Sequence, residues 1–272
     1  MKKITAVLLA ALMLIPLTAD ARKERKCNKA IGIVAHRGFW NCEEAGFARN
    51  SIAALRCAQE AGFWGSEFDV NMTADSVLIV YHDGTIEGKS IEKHPYSEFK
   101  DVRLENGEPI PTLQQYLDQA AGYPETMLVY ELKPHSSPEI EDTFVNLTIA
   151  QLAENNLLNP QRVMFISFSL HICRRLAEIL PGYTVQFLGS SKNPNELDTL
   201  GINGVDYNHG VFDLHPKWHR MARRNKMSIN TWTVNSKTDM KKVFKLKINQ
   251  ITTDQPLEAR AILKEMKKKC ED

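Results

Sequence analysis

The chain has 272 residues, with 34 Lys and Arg, 33 Asp and Glu, and a formal net charge of +1. A net charge so close to zero gives no excess of basic residues to bind nucleic acid or an anionic membrane. Any phosphate must therefore be bound by a few basic residues within one site. The length fits one domain of about 250 residues, which is the usual size of an α/β barrel.

Residues 1–21 have the pattern of a secretory signal peptide. Two lysines precede an apolar run over residues 4–17, and small residues at positions 19 and 21 offer a cleavage site. The run is shorter than the ~20 apolar residues that cross a bilayer, and Cys27 comes too late to carry a lipoprotein anchor. We therefore expect an exported protein, periplasmic or secreted, without a stable membrane anchor. The remaining chain has 32 basic and 32 acidic residues, because Lys2, Lys3 and Asp20 leave with the peptide.

Five cysteines over this length do not make a disulfide scaffold, and no CxxC or Cys/His spacing indicates zinc. A bridge between Cys27 and Cys42 is one interpretation, and buried free thiols are the preferred one.

Over residues 22–272, short β-branched segments alternate with segments of helical period. The predicted strands cover residues 31–35, 66–70, 127–132, 163–167, 184–188, 204–207, 228–233 and 250–252. The predicted helices cover about 51–62, 112–121, 138–156, 170–179, 194–200, 216–226, 237–245 and 256–268. Eight such units predict an α/β fold, a closed (β/α)₈ TIM barrel. The alternative, a doubly wound sheet, would bring a glycine-rich phosphate loop after the first strand, and the sequence has none there.

One segment departs from this repeat. Residues 77–82 form a further strand candidate, and residues 83–109 follow as a polar, glycine-containing stretch with weak periodicity. We expect a small insertion after the second strand, at about 76–110, that caps the barrel mouth.

Acidic residues stand at the carboxyl ends of two predicted strands, the face that carries the active site in barrel enzymes. Glu67 and Asp69 are two apart on one strand, so both point into the barrel, and Glu131 occupies the same place on the next strand. Inward carboxylates repel each other and resist desolvation unless a cation lies between them. Oxygen donors alone indicate one divalent cation, Ca²⁺ or Mg²⁺, and not zinc. The alternative is a carboxylate network neutralised by Arg37 and Lys133.

Two histidines also end strands at this face. His36 follows the first strand and His82 follows the extra one. Cleavage of a phosphodiester needs a base for the nucleophile and an acid for the leaving alkoxide, and two imidazoles can divide that work. Either histidine taken alone is more typical of a packed core.

Other residues at the strand ends are candidates for contacts to a substrate. Arg37 and Lys133 offer positive charge to a phosphate. Phe168 and Trp232 are candidates for an apolar wall, although aromatic residues near a barrel rim are as often core packing. Asn50 is a candidate contact as well, but with Ser51 it also has the pattern of a helix cap.

These motifs together resemble the glycerophosphodiester phosphodiesterase family. The residues that carry the resemblance are Ala35-His36-Arg37-Gly38, Glu67-x-Asp69, His82-Asp83, Ile110-Pro111-Thr112-Leu113, Glu131-Leu132-Lys133, Trp232-Thr233-Val234-Asn235 and Thr253-Asp254-x-Pro256. They occur in the family's order along nearly the whole mature chain. The resemblance implies a metal-dependent enzyme, a phosphoric diester hydrolase, that cleaves a small-molecule glycerophosphodiester to glycerol 3-phosphate and an alcohol.

By the same resemblance, Glu67, Asp69 and Glu131 match the metal ligands and His36 and His82 match the acid–base pair. Arg37 and Lys133 match the phosphate-binding positions, and a glycerol hydroxyl contacts the metal and attacks phosphorus before water completes hydrolysis. Two alternatives remain open at this stage. One is a phospholipase-like enzyme that cleaves intact lipid or phosphoinositide head groups, and the other is a barrel that binds diesters without turnover. The sequence assigns no oligomeric state.

The sequence departs from the family's pattern in two places. The family usually has Pro-Glu-Asn-Thr before the first helix, where this chain reads Ala48-Arg49-Asn50-Ser51. The common Arg-Thr-Thr-Gly after His-Asp is also missing, and residues 84–88 read Gly-Thr-Ile-Glu-Gly. Both changes bear on which substrate is used more than on the type of reaction.

Overall fold

The computed structural model describes residues 31–246 and 248–271. The predicted signal peptide and Cys27 lie outside this part of the chain, so neither the peptide nor the Cys27–Cys42 bridge is tested. Cys42, Cys57 and Cys173 are not bonded to one another. No helix in the described ranges is long and apolar enough to cross a membrane.

Eight parallel strands form the barrel, as predicted. They are β1 Gly32–Ala35, β2 Gly65–Met72, β6 Met127–Leu132, β7 Val163–Ser167, β8 Val185–Phe187, β9 Gly204–Asn208, β10 Ser228–Trp232 and β11 Gln250–Thr253. Pairing runs from β10 down to β6, then through β2 and β1 to β11. The two end strands also meet, because Asn249 N donates to Ile229 O at 2.8 Å and Val234 N donates to Thr252 O at 3.0 Å. A closed barrel is therefore confirmed, and the doubly wound sheet is excluded.

Helices cover the outside of the barrel. They are α1 Ile52–Glu60, α2 Leu113–Ala121, α3 Pro138–Glu154, α4 Leu170–Ile179, α5 Pro194–Thr199, α6 Val211–Leu214, α7 Trp218–Arg224, α8 Lys237–Lys245 and α9 Pro256–Glu271. Sequence-encoded caps fix where several of them begin. Thr112 and Asn193 each form a capping box, and Ser137 precedes a proline at the first helical position.

The strands are buried on both faces, and β1 and β7 accordingly consist mostly of apolar residues. The layer between strands and helices contains the largest apolar cluster, in which the Phe68 ring contacts those of both Tyr116 and Tyr130. Phe68 alternates with Glu67 and Asp69 along β2, so the aromatic ring faces the helices and the two carboxylates face the barrel interior.

The predicted insertion after β2 is present and has a small core of its own. Strand β3 Leu78–Val80 pairs antiparallel with β2, and β4 Thr85–Ile86 and β5 Lys89–Ser90 form a short hairpin. Two 3₁₀ turns follow at residues 91–93 and 96–98. The insertion's core consists of Ile79, Ile86, Ile91, Phe99 and Ile110. This unit stands beside the barrel mouth and forms one wall of it.

Candidate active site

The barrel brings the predicted site residues of the first three strand ends to one face. β1 pairs with β2, and β2 pairs with β6 so that Asp69 lies opposite Glu131. Strand β3 returns along β2, and Tyr81 N donates to Asp69 O at 3.0 Å, which places His82 beside the same carboxylates. Residues that are far apart in sequence therefore surround a single cavity.

Glu67, Asp69 and Glu131 form a compact acidic cluster. Their ligand atoms all lie within 4.8 Å of one another, and the residues are 2%, 1% and 7% exposed. Among the described residues, Oε1 of Glu67 is a buried oxygen with no hydrogen-bond partner. A buried carboxylate oxygen without a partner costs free energy unless something positive binds to it. The cluster therefore fits a hard divalent cation, for which oxygen atoms are the preferred ligands.

The ionisation of this cluster in the metal-free protein supports the same conclusion. Burial, together with the charges of Asp69 and Glu131, raises the pKa of Glu67 well above its usual value. Burial and Asp69 raise the pKa of Glu131 to about 7, against the opposing effect of Lys133. A cation bound there would compete with protons for these carboxylate oxygens.

Arg37 lies in a tight turn that ties the end of β1 to β2. Its φ of 54° is left-handed, and its backbone N donates to Oε2 of Glu67 at 2.7 Å. Gly38 N donates to Glu67 O at 3.0 Å, and a Cβ at Gly38 would lie 2.7 Å from Ala54 backbone carbon. Only glycine fits there. The strained turn therefore aims both the backbone and the guanidinium of Arg37 at the acidic cluster.

Lys133 and Arg37 neutralise Asp69. Lys133 Nζ lies 3.2 Å from Oδ1 of Asp69 and 2.7 Å from Oε1 of Glu131, and Arg37 Nε lies 3.4 Å from Oδ2 of Asp69. Burial opposes ionisation of Asp69, yet Lys133, His82, Asn50 and Arg37 lower its pKa below the usual value. Burial likewise opposes the charge on Lys133, whose pKa is nevertheless raised by Glu131 and Asp69. The pairing considered as an alternative to a metal is thus present, but it leaves Oε1 of Glu67 without a hydrogen-bond partner in the part of the chain that the structure describes.

Asn50 and Ser51, which the sequence suggests as a joint cap, have separate roles. Ser51 is the N-cap of α1, and its hydroxyl accepts from Ala54 N at 2.9 Å. Asn50 is buried with φ 57° and contacts Asp69 twice: Nδ2 donates to Oδ2 at 2.9 Å, and Oδ1 accepts from the Asp69 backbone N at 3.2 Å. Asn50 therefore holds Asp69 in place from behind.

His36 has a carboxylate partner to which the sequence reasoning assigned no role. Nδ1 of His36 donates to Oδ1 of Asp254 at 2.7 Å. Trp40 Nε1 donates to the same oxygen at 3.0 Å, and Asn235 Nδ2 donates to Oδ2 at 2.7 Å. Burial would raise the pKa of Asp254, but the hydrogen bonds from His36, Asn235 and Trp40 lower it to about 2. A permanently ionised Asp254 keeps the proton of His36 on Nδ1 and leaves Nε2 as the basic nitrogen.

His82 is oriented in a similar way, at a more exposed place. Its Nδ1 donates to Oδ1 of Asp83 at 2.6 Å, and its side chain is 40% exposed. Burial, with the positive charges of Lys133 and Arg37, lowers the pKa of His82 below its usual value, although Asp69 and Asp83 oppose the shift.

A cavity of about 190 Å³, the metal cavity, lies over these groups. Both histidines, Arg37 and the three carboxylates line it, and Phe168 and Trp232 form its apolar side, in edge-to-face contact at 5.6 Å. Lys133 and Asn50 stand behind the carboxylates and do not line it.

Asp206, on β9, is a further lining residue that the sequence reasoning did not single out. It is 1% exposed, and its Oδ1 has no partner among the described residues, while Oδ2 accepts from Asn230 Nδ2 at 3.0 Å. Burial and the charge of Glu131 raise the pKa of Asp206 well above its usual value. In the sequence, only its inward-facing position on the strand indicates that it lines the cavity.

Comparison with known proteins agrees with this geometry. The family model described as "Glycerophosphoryl diester phosphodiesterase family" matches residues 36–258. A glycerophosphodiester phosphodiesterase of Caldanaerobacter subterraneus subsp. tengcongensis is 26% identical over 243 residues, which cover 82% of this chain and 94% of that protein.

Solved structures give the same result. The crystal structure of a glycerophosphodiester phosphodiesterase from Parabacteroides distasonis is 39% identical, with a TM-score of 0.83 over 87% of this chain and 98% of that chain. An Oleispira antarctica phosphodiesterase, solved in complex with the product sn-glycerol-3-phosphate, shares the fold at 20% identity and a TM-score of 0.74, over 86% of this chain and 96% of that chain. The chain belongs to the glycerophosphoryl diester phosphodiesterase family.

Proposed function

We propose that this protein hydrolyses glycerophosphodiesters to glycerol 3-phosphate and an alcohol, with one divalent cation as cofactor. The observation that carries the proposal is the convergence of His36, His82 and Arg37 with the three carboxylates on the metal cavity. The names of the relatives and the product bound to the Oleispira antarctica enzyme support the same substrate class.

In this proposal His36 is the general base and His82 the general acid. Nε2 of His36, with Nδ1 held by Asp254, takes the proton from the attacking glycerol hydroxyl; after the alcohol has left, water opens the resulting cyclic phosphate to give glycerol 3-phosphate. Nε2 of His82, with Nδ1 held by Asp83, gives a proton to the leaving alkoxide. The assignment is supported by position, because His36 is the more enclosed of the two, at 18% side-chain exposure, while His82 stands at the rim where an alcohol departs.

Arg37 would bind the phosphate directly, and Lys133, behind the carboxylates, would add positive charge at longer range. The Arg37 guanidinium lines the cavity, and Lys133 lies between Asp69 and Glu131, so both are already fixed in position before substrate binds. Preorganised positive groups stabilise charge more strongly than mobile ones.

Glu67, Asp69 and Glu131 would hold the cation, which we propose to be Ca²⁺ or Mg²⁺. When bound, such an ion acts as a Lewis acid toward the phosphoryl oxygens. Asn50 would then hold the ligand Asp69 in position through its two hydrogen bonds to that residue. Phe168 and Trp232 would exclude water from the apolar side of the substrate.

We also propose that the protein is exported. The basic start, the short apolar run and the small residues at positions 19 and 21 support this. Sizing the protein secreted by its host, and sequencing its first residues, tests this directly. A start at residue 22 is expected, and an uncleaved, cell-retained chain would contradict it.

The test of the activity is the release of glycerol 3-phosphate from glycerophosphocholine by the purified protein, with Ca²⁺ or Mg²⁺ and after chelation. We expect turnover with an ion and its loss on chelation. Glu67→Gln should reduce the rate strongly, while Glu60→Gln, on the exposed side of α1, serves as the matched control. Vesicles of intact phospholipid form a separate arm. Cleavage of the vesicles alone would favour the phospholipase alternative, and no cleavage of any diester would refute the proposal.

A further inference from the structure

A second cavity adjoins the metal cavity. It has a volume of about 330 Å³, and we call it the arginine cavity because Arg37, Arg49 and Arg103 line it. Arg37 and His82 line both cavities and so form the wall that the two share. The insertion supplies the outer side of the arginine cavity through Tyr81 and residues 102–105.

The shared wall matters because a phosphodiester has two arms. With the phosphorus beside Arg37 and His82, one arm lies over the acidic cluster and the other lies in the arginine cavity. The metal cavity is the smaller and more enclosed space, which suits glycerol, and the larger cavity opens beside His82, the group that protonates the departing alcohol. The arm in the arginine cavity is therefore the head group.

Arg49 is fixed in position and keeps its charge available. Its guanidinium carbon lies 3.9 Å from the centre of the Trp40 ring. The indole is itself held by the hydrogen bond from Nε1 to Asp254. Stacking on an aromatic face orients a guanidinium while leaving its N–H groups free to bind an anion.

Arg103 lies across the same cavity, on the insertion. Its Nη1 donates to Lys100 O at 3.2 Å. Within residues 31–246 and 248–271, neither Arg49 nor Arg103 forms an ion pair with a carboxylate. Both arginines therefore retain a full positive charge beside the cavity.

Two carboxylates also line this cavity, and they leave a positive balance. Asp83 is engaged by His82, at 2.6 Å from Nδ1. Glu105 remains as the opposing charge, and together with Asp83 it raises the pKa of Tyr81, after the effect of burial. Arg37 faces the phosphate of the diester itself. Three arginines against two carboxylates in the lining leave one net positive charge in this cavity.

We propose that Arg49 and Arg103 form a head-group site selecting diesters whose leaving alcohol carries a second anionic group, a carboxylate or a phosphate ester. The inference rests on the proposed function, because it assigns one end of the substrate of that reaction. It also gives a role to the arginine that replaces the acidic residue usual before the first helix of the family.

The test compares kcat/KM of the full chain on matched diesters with a saturating divalent cation. Glycerophosphoinositol 4-phosphate is compared with glycerophosphoinositol, and glycerophosphoserine with glycerophosphoethanolamine, so that the two arms separate a phosphate from a carboxylate. Glycerophosphocholine is the reference. A charge-assisted contact contributes enough to give a ~10-fold preference for the anionic member of at least one pair.

Charge reversal tests the two residues. Arg49→Glu and Arg103→Glu should each reduce the ratio of kcat/KM for the anionic diester to that for glycerophosphocholine by ~10-fold, and the double variant should reverse it. The ratio is the readout because any general damage to folding or catalysis affects both substrates alike. Arg56→Glu, on the exposed face of α1, is the matched control and should leave the ratio unchanged.

The outcomes separate this inference from the proposed function. Hydrolysis of glycerophosphocholine with equal kcat/KM for all head groups, or a ratio unchanged in both arginine variants, would overturn the head-group site and leave the activity standing. No hydrolysis of any diester would overturn both.

Discussion

Nδ1 of His36 lies 2.7 Å from Oδ1 of Asp254, a residue 218 positions further along the chain. The contact forms because β11 pairs with β1, with Ala35 opposite Thr253, so the residues that follow the two strands are neighbours at the barrel mouth. Closure of the barrel thus brings together the general base, which follows the first strand, and the carboxylate that orients it, which follows the last strand.

Replacing Asp254 by Asn tests this relationship. Asn cannot hold the Nδ1 proton of His36 as an ionised carboxylate does, so we expect kcat to fall by ~10²–10⁴. The affinity for the divalent cation should stay unchanged, because Asp254 is not part of the acidic cluster. Rate assays and calorimetric titration with Ca²⁺ measure the two effects. A D254N enzyme with full kcat would show that the partner is dispensable.

The two histidines should differ in their dependence on the leaving group. Alanine at either position should cost ~10²–10⁴ in kcat with glycerophosphocholine. With the p-nitrophenyl ester of glycerol phosphate, whose phenolate departs without a proton, His82→Ala should recover most of the rate and His36→Ala should not. The opposite pattern would exchange the assignments of acid and base.

Metal binding should depend on pH through the acidic cluster. In the metal-free protein the pKa of Glu131 is about 7 and that of Glu67 is raised well above its usual value. A cation must therefore displace protons at pH 6, so its affinity should increase as the pH rises through 7. Calorimetry at pH 6 in two buffers of different ionisation enthalpy should detect release of protons, and release should diminish at pH 8.5. An affinity independent of pH would contradict these shifts.

Ionisation of Asp206 should lower the free energy of unfolding at high pH. Its pKa in the folded protein is raised above the value in the unfolded chain, so its contribution to stability is fully present at low pH and is lost as the pH rises through the folded pKa. The amide of Asp206→Asn does not ionise, so this variant loses no stability as the pH rises. Its amide oxygen still accepts the hydrogen bond from Asn230. In chelator, the Tm of D206N relative to the wild type should therefore increase from pH 5 to pH 8.5. Asp101→Asn, on the surface, should show no such trend.

Asn50 and Ser51 offer a matched pair of adjacent variants. Asn50→Gly suits the positive φ and removes only the amide that supports Asp69, so metal affinity should fall ~10–100-fold. Ser51→Ala should cost about 1 kcal/mol of stability through loss of the cap, with metal affinity retained. Titration with Ca²⁺ and urea unfolding separate the two effects. Equal loss of affinity in both variants would assign Asn50 a merely structural role.

The barrel and the acidic cluster follow from local sequence rules. Strands Met127–Leu132 and Val163–Ser167 and helices Leu170–Ile179 and Lys237–Lys245 have the predicted bounds. Alternation along β2 suffices to aim Glu67 and Asp69 inward, because the side-chain period of a strand is two.

Other features depend on contacts that a linear pattern does not contain. The partner of His36 follows only from which loops meet when the barrel closes. Helix Val211–Leu214 and the two-residue strands of the insertion are too short to show a period. The cap pattern fits both Asn50 and Ser51, and only the left-handed backbone at Asn50 decides which of them turns toward Asp69.

The insertion's separate core has a consequence for how the enzyme can diversify. Ile86, Ile91 and Phe99 pack with one another and not within the main barrel cluster. Residues 102–105 can therefore change without disturbing the packing that supports the carboxylates. Arg103 thus stands on a hydrophobic core separate from the one that supports the carboxylates, so this short segment is a suitable place to graft new head-group selectivity.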